Sequence, residues 1–245
     1  MHHRLRRLRE SVSNWLVLHR PPSPLFAPDQ RFLRRLRRRG YRARIIYDIG
    51  ASTGVWSETM LRVFPEARCH LFEPLASHPV YAAELAERLT RLPGLILHPM
   101  ALGEADAEET MAVAEDGFGS SLHDRGNLPL IRERLRVPVR RLDTYVRERS
   151  LEPPDIVKID TQGFEAAILR GGAETIRHAG AVLVELWLER GYGPQTPLAE
   201  EIINLLKPLG FTLVDFGERF WDSSGRLYSV DAYFLRVELA KGFRG

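Results

Sequence analysis

A glycine-containing loop flanked by acidic residues is the segment whose residue types most clearly indicate chemistry. The loop spans Asp48 to Gly54 (Asp-Ile-Gly-Ala-Ser-Thr-Gly) and directly follows an apolar segment, residues 44–49. Glycine allows the backbone to turn sharply and to approach a ligand closely. A loop of this kind between a strand and a helix is typical of a binding site for a nucleotide-like ligand.

The glycine spacing excludes two common classes of ligand. A nucleoside triphosphate loop needs a lysine after its last glycine, and none is present here. A dinucleotide loop needs Gly-x-Gly-x-x-Gly, so that the backbone can approach a pyrophosphate. Here Gly50 and Gly54 form Gly-x-x-x-Gly, and Ser52 stands where the second glycine would be. The loop therefore suits a ligand with less negative charge than a pyrophosphate.

Two acids beside the loop narrow the ligand further. Asp48, at the end of the first strand, would repel phosphates but attract an ammonium or a sulfonium, and S-adenosylmethionine carries both. Glu73 ends the next strand about 20 residues later, where an acid accepts hydrogen bonds from ribose hydroxyls. The pattern predicts a site for S-adenosylmethionine. The alternative is a plain strand–turn–helix whose acids are incidental caps.

The elements that must position these residues alternate between strands and helices, which predicts a parallel α/β sheet with right-handed crossovers. We expect a third strand over residues 95–102 and an irregular or hairpin insertion over residues 103–141. The last two strands, residues 211–216 and 230–237, are joined by a short turn and should be antiparallel. The expected architecture is thus a doubly wound, mostly parallel sheet with one antiparallel strand near its end.

Composition agrees with one soluble α/β domain, since 44% of the 245 residues are hydrophobic and 27% are charged. No apolar run approaches the ~20 residues that span a bilayer. Cys69 is the single cysteine, so no internal disulfide can form. A reducing cytoplasm is the expected setting.

The charge is distributed unevenly along the chain. Residues 1–44 hold thirteen arginines and two acids, a net charge of +11, so the remainder carries −8 of the overall +3. We divide the chain into a basic helical arm, residues 1–40, and a catalytic domain, residues 41–245. The arm either contacts an anionic surface such as membrane headgroups or nucleic acid, or consists of two short helices that pack a thin leucine seam on the domain and turn their charges to water.

In six ordered stretches the sequence resembles the FkbM family of methyltransferases, and the resemblance covers roughly residues 45–190. The stretches are Tyr47–Ala51 with Gly54, Phe72–Pro74, Ala101–Gly103, Gly119–Leu122, Pro138–Asp143, and Val157–Glu165 running on to Leu169–Gly172. The first 40 residues fall outside it. Many members have a glutamate where Gln162 stands, so we assign Gln162 no acid–base role.

The resemblance implies a class I methyltransferase fold, with seven strands and S-adenosylmethionine at the carboxyl ends of the first of them. It also implies methyl transfer, usually to a hydroxyl oxygen of a sugar, polyketide or similar metabolite. Asp48 and the loop would surround the amino acid half of the cofactor, and Glu73 would take the ribose. The further cofactor contacts that we predict are Gly50, Ala51, Ser52, Gly54, Ala101, Leu102, Ser120 and Ser121.

Methyl transfer to a hydroxyl is helped by a base that accepts the hydroxyl proton, and three residues are candidates for this catalytic role. Asp160 ends a strand facing the crevice, Glu185 lies within the next strand near its carboxyl end, and His123 lies in the insertion. Each has a structural alternative. Asp160 could cap the following helix or make a hydrogen-bonding contact to the cofactor. Glu185 could pair with Lys158, and His123 could be a surface histidine.

Two carboxylates on adjacent strand ends could also bind Mg²⁺. A third obvious ligand is missing, so we predict no metal site. Trp187, Phe220 and Trp221 are expected either to line an acceptor pocket or to be plain core.

The predicted function is O-methylation of a small or glycan-linked acceptor. Two alternatives are a nucleic-acid methyltransferase and a non-catalytic module that binds the same ligand. Against the first, Asp160-Thr161-Gln162-Gly163 does not resemble the Asn/Asp-Pro-Pro-aromatic motif of N-methylating enzymes, and the acidic body does not suit a phosphate track. We therefore expect no nucleic-acid partner.

Overall fold

The computed structural model describes residues 26–115, 119–123 and 131–243. Its strands are β1 (Ile45–Ile49), β2 (Arg68–Phe72), β3 (Leu95–His98), β4 (Ala101–Gly103), β5 (Ala107–Ala114), β6 (Ile131–Arg141), β7 (Ile156–Ile159), β8 (Ala181–Trp187), β9 (Phe211–Trp221) and β10 (Leu227–Arg236). Its helices are α1 (Ala27–Arg38), α2 (Val55–Leu61), α3 (Ala82–Arg91), α4 (Leu142–Arg149), α5 (Glu165–Gly171), α6 (Ala173–Ile176), α7 (Ala199–Leu206) and α8 (Val237–Ala240). A 3-10 turn over Lys207–Leu209 extends α7.

The central sheet has seven strands in the order β3-β2-β1-β7-β8-β10-β9. Every strand is parallel to the others except β10, which runs antiparallel to both β8 and β9. Strands β1, β7 and β8 are buried along their whole length, which explains why the sequence shows them as continuous apolar runs rather than alternating ones. The doubly wound fold predicted from the sequence, with its one antiparallel strand, is confirmed.

Helices cover both faces of this sheet. Helices α1, α2 and α3 pack on one face through Phe32, Leu33, Trp56, Met60 and Leu85. The opposite face carries α4 to α7, whose buried side chains include Leu142, Ile168, Leu169, Ile176, Ile202 and Leu206. Because residues alternate between faces along a strand, Asp48, Lys158 and Asp231 all lie on the α1 face.

Helix α1 belongs to the core of the protein. Its Phe32 ring stacks on Tyr233 with the centroids 4.3 Å apart, and Asp29 accepts hydrogen bonds from Trp56 Nε1 (2.7 Å) and from the Tyr233 hydroxyl (2.6 Å). One interpretation of the arm predicted short helices that pack a leucine seam on the domain, and such packing is observed for residues 27–38. The first arginine-rich segment and the proline stretch, residues 1–25, lie outside the described residues.

The third strand is shorter than predicted. It ends at His98, whose backbone oxygen accepts bonds from both Glu73 N (3.1 Å) and Met100 N (2.9 Å). The chain turns there, and Ala101–Gly103 pairs instead with β6 in a second sheet of order β4-β6-β5. Strands β5 and β6 form a hairpin, which is one of the two forms predicted for the insertion. Pro99 marks this break in the sequence, because proline has no N–H to continue a strand ladder; the pairing of residues 101–103 in a second sheet is a long-range contact that no local signal indicates.

The second sheet packs its apolar face over the segment that follows β2. Met111, Val113, Val137 and Val139 form a buried cluster with Leu75 and Tyr81. No helix in the described part of the chain is long and apolar enough to cross a bilayer.

Candidate active site

A cavity of about 890 Å³ lies at the carboxyl ends of β1, β2, β7 and β8. Parallel sheets of this type bind ligands at this edge, where the strand order reverses between β1 and β7. Its wall includes eight predicted cofactor or catalytic residues, namely Gly50, Ser52, Glu73, Ala101, Leu102, Ser120, Asp160 and Glu185. The cavity is continuous from the glycine loop to β9 and β10, which supply Glu218, Phe220, Tyr228, Asp231 and Tyr233.

The glycine loop is held between two neighbouring strand ends. The backbone N–H groups of Gly50 and Ala51 donate to Phe72 O at 3.0 and 3.3 Å. Gly50 has φ +80°, and a Cβ there would overlap the backbone oxygen of Asp160. Gly54, also left-handed with φ +78°, begins α2. Only glycine allows the ends of β1 and β7 to come this close.

Glu73 fixes the tip of the loop. Its Oε2 accepts the Ser52 N–H at 2.7 Å and its Oε1 accepts the Leu75 N–H at 2.8 Å. Burial raises the pKa of Glu73 to about 7, although both N–H groups oppose the shift. The hydroxyl of Ser52 is buried and has no hydrogen-bond partner in the described part of the protein. A ligand with hydroxyl or other polar groups that can bond to both side chains fits this cradle, and S-adenosylmethionine carries such groups.

Asp48 lies behind the loop and is fully buried. It accepts a hydrogen bond from Ser57 Oγ at 2.7 Å, and its other oxygen lies 3.8 Å from Lys158 Nζ without a hydrogen bond among the described residues. Burial raises the pKa of Asp48. Like Ala51 and Gly54, it is not part of the described cavity wall, so its attraction to the ammonium of the ligand stays a prediction.

Lys158 and Asp160 form an ion pair at the floor of the cavity, 3.1 Å apart. Burial opposes the charge on Lys158, but Asp160 and Asp48 together raise its pKa above the ordinary value. The Asp160 side chain is 37% exposed and faces the cavity. A carboxylate in this position keeps free acceptor sites for a ligand hydroxyl.

Gln162 connects the two candidate carboxylates. Its Nε2 donates to Asp160 Oδ1 at 2.9 Å and, more weakly, to Glu185 Oε2 at 3.4 Å. Its Oε1 accepts the Tyr192 hydroxyl. Gln162 adopts φ +57°, a left-handed conformation that is uncommon for a residue with a side chain. The sequence indicates no acid–base role for Gln162, and the structure shows that its side chain orients both acids.

The pairing with Lys158 considered for Glu185 and the helix cap considered for Asp160 are not observed. Glu185 accepts Ser229 Oγ at 2.7 Å instead of pairing with Lys158, which turns to Asp48 and Asp160. Burial, reinforced by the charges of Asp160 and Glu165, raises the pKa of Glu185 well above its ordinary value.

The N–H groups ahead of α5 are accepted by Glu165 rather than by Asp160. Glu165 Oε1 bonds to the N–H groups of Thr161 and Gly163, both at 3.0 Å. Burial raises the pKa of Glu165 to about 7. Asp160 is thereby left free to face the cavity.

The loop that carries the two predicted serines is tied to its own strand and to the Gln162 loop. Ser120 Oγ accepts the Ala114 N–H at 3.0 Å and lines the cavity. Ser121 Oγ donates to Gln162 O at 2.7 Å. His123 packs its ring 5.2 Å from that of Phe164, and burial lowers its pKa. His123 and Ser121 are not part of the described wall.

Among the aromatic residues expected at an acceptor pocket, Trp187 and Phe220 line the cavity, whereas Trp221 is 58% exposed and does not. The polar wall residues that the sequence did not indicate include Asp29, Tyr192, Glu218 and Asp231. Each is isolated in the sequence from every motif, and the docking of α1, the segment after β8 and the pairing of β9 with β10 bring them here. Within the described ranges, no group of three or more His, Cys, Asp or Glu side chains could hold a metal ion.

The sheet order and the site define a class I methyltransferase fold. The Methyltransferase FkbM domain model matches residues 48–213, so the chain belongs to the FkbM methyltransferase family. It is a methyltransferase that uses S-adenosylmethionine.

A curated relative, 2-O-methyltransferase NoeI of Sinorhizobium fredii (strain NBRC 101917 / NGR234), is 28% identical over 180 residues, which cover 66% of this chain and 70% of NoeI. Two solved structures are similar in fold. The O-methyltransferase TomG of Streptomyces achromogenes has a TM-score of 0.48 at 17% identity, with 93% of this chain and 89% of TomG covered. An O-methyltransferase described as putative from Klebsiella pneumoniae has a TM-score of 0.46 at 14% identity, with 94% and 89% covered.

Proposed function

We propose that the protein transfers the methyl group of S-adenosylmethionine to a hydroxyl oxygen of a sugar, polyketide or other small or glycan-linked acceptor. The observation that carries the proposal is the continuous cavity in which the partly exposed Asp160 carboxylate lies between the glycine loop and a wall of acids and aromatic rings. The relative NoeI is a 2-O-methyltransferase, which agrees with transfer to an oxygen atom.

The cofactor half of the cavity is built from β1, β2 and the second sheet. In the proposed complex, Glu73 accepts the ribose hydroxyls, Ser52 bonds to the polar tail, and Ala101 and Leu102 contact the adenine. When bound, S-adenosylmethionine supplies a methyl group that its sulfonium has already activated. The chain therefore has to hold the acceptor oxygen in line and exclude water.

Asp160 is the base in this proposal. Transfer forms a carbon–oxygen bond, breaks the methyl carbon–sulfur bond and releases the proton of the hydroxyl, which the Asp160 carboxylate accepts. Glu185 is 6% exposed and less accessible to an acceptor, so it positions Gln162 and the floor of the site. His123 has no contact with the acceptor in this arrangement.

Two measurements test the proposal. Calorimetry with S-adenosylhomocysteine should show binding in a 1:1 ratio. Incorporation of labelled methyl into a panel of sugars and hydroxylated polyketides, with mass spectrometry of the product, should place the methyl on oxygen. Asp160→Asn should lower transfer by about 10²–10⁴-fold and leave the affinity for S-adenosylhomocysteine unchanged. Labelling of nucleic acid alone, or binding without transfer to any acceptor, would favour the two rival functions.

The outer face of α1 supports the membrane contact considered for the arm. Arg31, Arg34, Arg37 and Arg38 are exposed there while the opposite face is buried in the core. We propose that this face contacts anionic headgroups, which attract clustered arginines. Cosedimentation with vesicles containing phosphatidylserine, compared with neutral vesicles, tests this; equal binding to both would contradict it.

A further inference from the structure

The part of the cavity that extends from the end of β7 to β10, together with α1, carries an excess of acidic side chains. Five carboxylates line it, and Lys158 is the single lysine or arginine in the described wall. The acids come from α1, the end of β7, β8, β9 and β10, and they are Asp29, Asp160, Glu185, Glu218 and Asp231. A wall of this composition is unusual for a pocket that receives a neutral or anionic molecule, because each buried carboxylate is costly without a counter-charge.

Lys158 is already committed. Its ammonium lies 3.1 Å from Asp160 and 3.8 Å from Asp48. Among the described residues no lysine or arginine forms an ion pair with the wall acids on β8, β9 and β10, and the charge of Lys158 offsets only part of the raised pKa of Asp231.

The shortage of positive charge is most evident at Glu185 and Asp231. They are direct partners in the pairing of β8 with β10 and lie on the same face of the sheet. Like charges in directly opposite positions destabilise a sheet. Burial, with the surrounding acids, raises the pKa of both. Within the described residues, the Asp231 carboxylate accepts no hydrogen bond, whereas Glu185 accepts Ser229 Oγ.

Aromatic rings face the same space. Trp187 and Tyr228 stack with their centroids 5.8 Å apart, and Phe220 lies 6.5 Å from Tyr228. Trp187 is 2% exposed, and its Nε1 has no partner in the part of the chain that the structure describes. Carboxylates together with aromatic faces form the surroundings that bind ammonium groups, and the unpaired indole N–H is a donor for a ligand hydroxyl.

S-adenosylmethionine carries two positive charges, and neither accounts for the acids on β9 and β10. Its ammonium belongs near the glycine loop at β1, and its sulfonium must lie beside Asp160 at the end of β7 to deliver the methyl group. Strand β10 is three strands from β1 and two from β7, or roughly 14 and 10 Å at the usual strand spacing. The counter-charge must therefore come from the other molecule in the cavity.

We propose that the methyl acceptor is a hydroxyl compound that carries a protonated amine, such as an amino sugar or amino alcohol. Its ammonium lies between Asp231, Glu218 and the rings of Trp187 and Tyr228, while its hydroxyl faces Asp160. This inference rests on the proposed function, because it assigns the acceptor of the same site.

The test uses the full-length protein and two matched pairs of acceptors: glucosamine with N-acetylglucosamine, and the glucosamine disaccharide with its N-acetylated form. Binding is measured by calorimetry on protein saturated with S-adenosylhomocysteine, and labelled methyl transfer is measured in parallel. The free amine should improve binding and transfer by about tenfold within each pair. Asp231→Asn and Glu218→Gln should each reduce that preference. Glu200→Gln, an exposed acid on α7 outside the described wall, is the matched control and should keep it.

Equal or better use of the acetylated sugars, or no saturable binding of the amines, overturns the inference. The proposed function is judged separately: transfer to neutral hydroxyls would retain it, and failure to bind S-adenosylhomocysteine would reject it. Methyl placed on the amine nitrogen would contradict both O-methylation and the proposed position of the ammonium, because the nitrogen would then lie at Asp160.

Discussion

The ammonium of Lys158 lies between Asp160, 3.1 Å away, and the fully buried Asp48, 3.8 Å away. Asp48 precedes the glycine loop on β1, and Asp160 ends β7, so one side chain joins the cofactor half of the cavity to the half that holds the proposed base. Both acids therefore depend on Lys158 for charge compensation. The Lys158 ammonium thus both positions the proposed base, Asp160, and compensates the charge of Asp48 behind the loop.

Lys158→Met should destabilise the protein by about 3 kcal/mol, because it leaves two carboxylates without their cation, one of them fully buried. Urea denaturation measures the change in the free energy of unfolding. Adding Asp48→Asn to this variant should restore part of the loss, since the uncompensated buried charge is removed. Lys207→Met, at an exposed lysine, is the control; a cost below about 1 kcal/mol at position 158 would contradict the assigned role.

Glu73 should make cofactor binding depend on pH. Its pKa is raised to about 7, so it takes up a proton between pH 8 and 6 and loses acceptor capacity for the ribose hydroxyls. The affinity for S-adenosylhomocysteine should fall by about tenfold over that interval, as expected for one linked proton.

Calorimetry at several pH values tests the assignment of Glu73. Glu73→Gln should bind more weakly and with a flat pH profile. Glu165→Gln is a stringent comparison, because the pKa of Glu165 is also raised to about 7 while its side chain lies outside the described wall. A Glu165→Gln profile as flat as that of Glu73→Gln would exclude Glu73 as the source.

Gln162 should act as a positioning residue for Asp160. Gln162→Asn tolerates the left-handed backbone but its shorter amide cannot reach both acids. We expect kcat to fall by about 10–100-fold through misplacement of Asp160, with little change in the affinity for S-adenosylhomocysteine. Gln195→Asn, at an exposed glutamine, provides the matched control; a fall confined to cofactor affinity would contradict a role at the acceptor side.

Two glycines with positive φ allow the effect of steric overlap to be distinguished from the effect of backbone strain. Gly40 has φ +93° and no atom within 4 Å of an added Cβ, whereas Gly50 has φ +80° and its Cβ would overlap Asp160 O. Gly40→Ala should therefore cost only about 1 kcal/mol of stability. Gly50→Ala should cost more and also abolish binding of S-adenosylhomocysteine, because the ends of β1 and β7 must separate. Normal binding by Gly50→Ala would show that the close approach is not needed.

The sequence by itself determined the sheet class and which residues meet at the glycine loop. Strands buried on both faces appear as apolar runs, and the loop from Asp48 to Gly54 with Glu73 occupies consecutive strand ends, so local spacing already places these residues together. The antiparallel pairing of β9 and β10 followed from their short turn.

Only the tertiary structure decided the other half. Asp29, Gln162, Tyr192 and Asp231 come from elements far apart in the chain, and no local pattern records which of their side chains meet. Lys158 contacts Asp48 and Asp160 rather than Glu185 because the register of β1, β7 and β8 places Asp48 directly beside Lys158 and Leu183 on its other side. Contacts of this kind depend on strand register and helix docking, which long-range packing sets and residue spacing along the sequence does not.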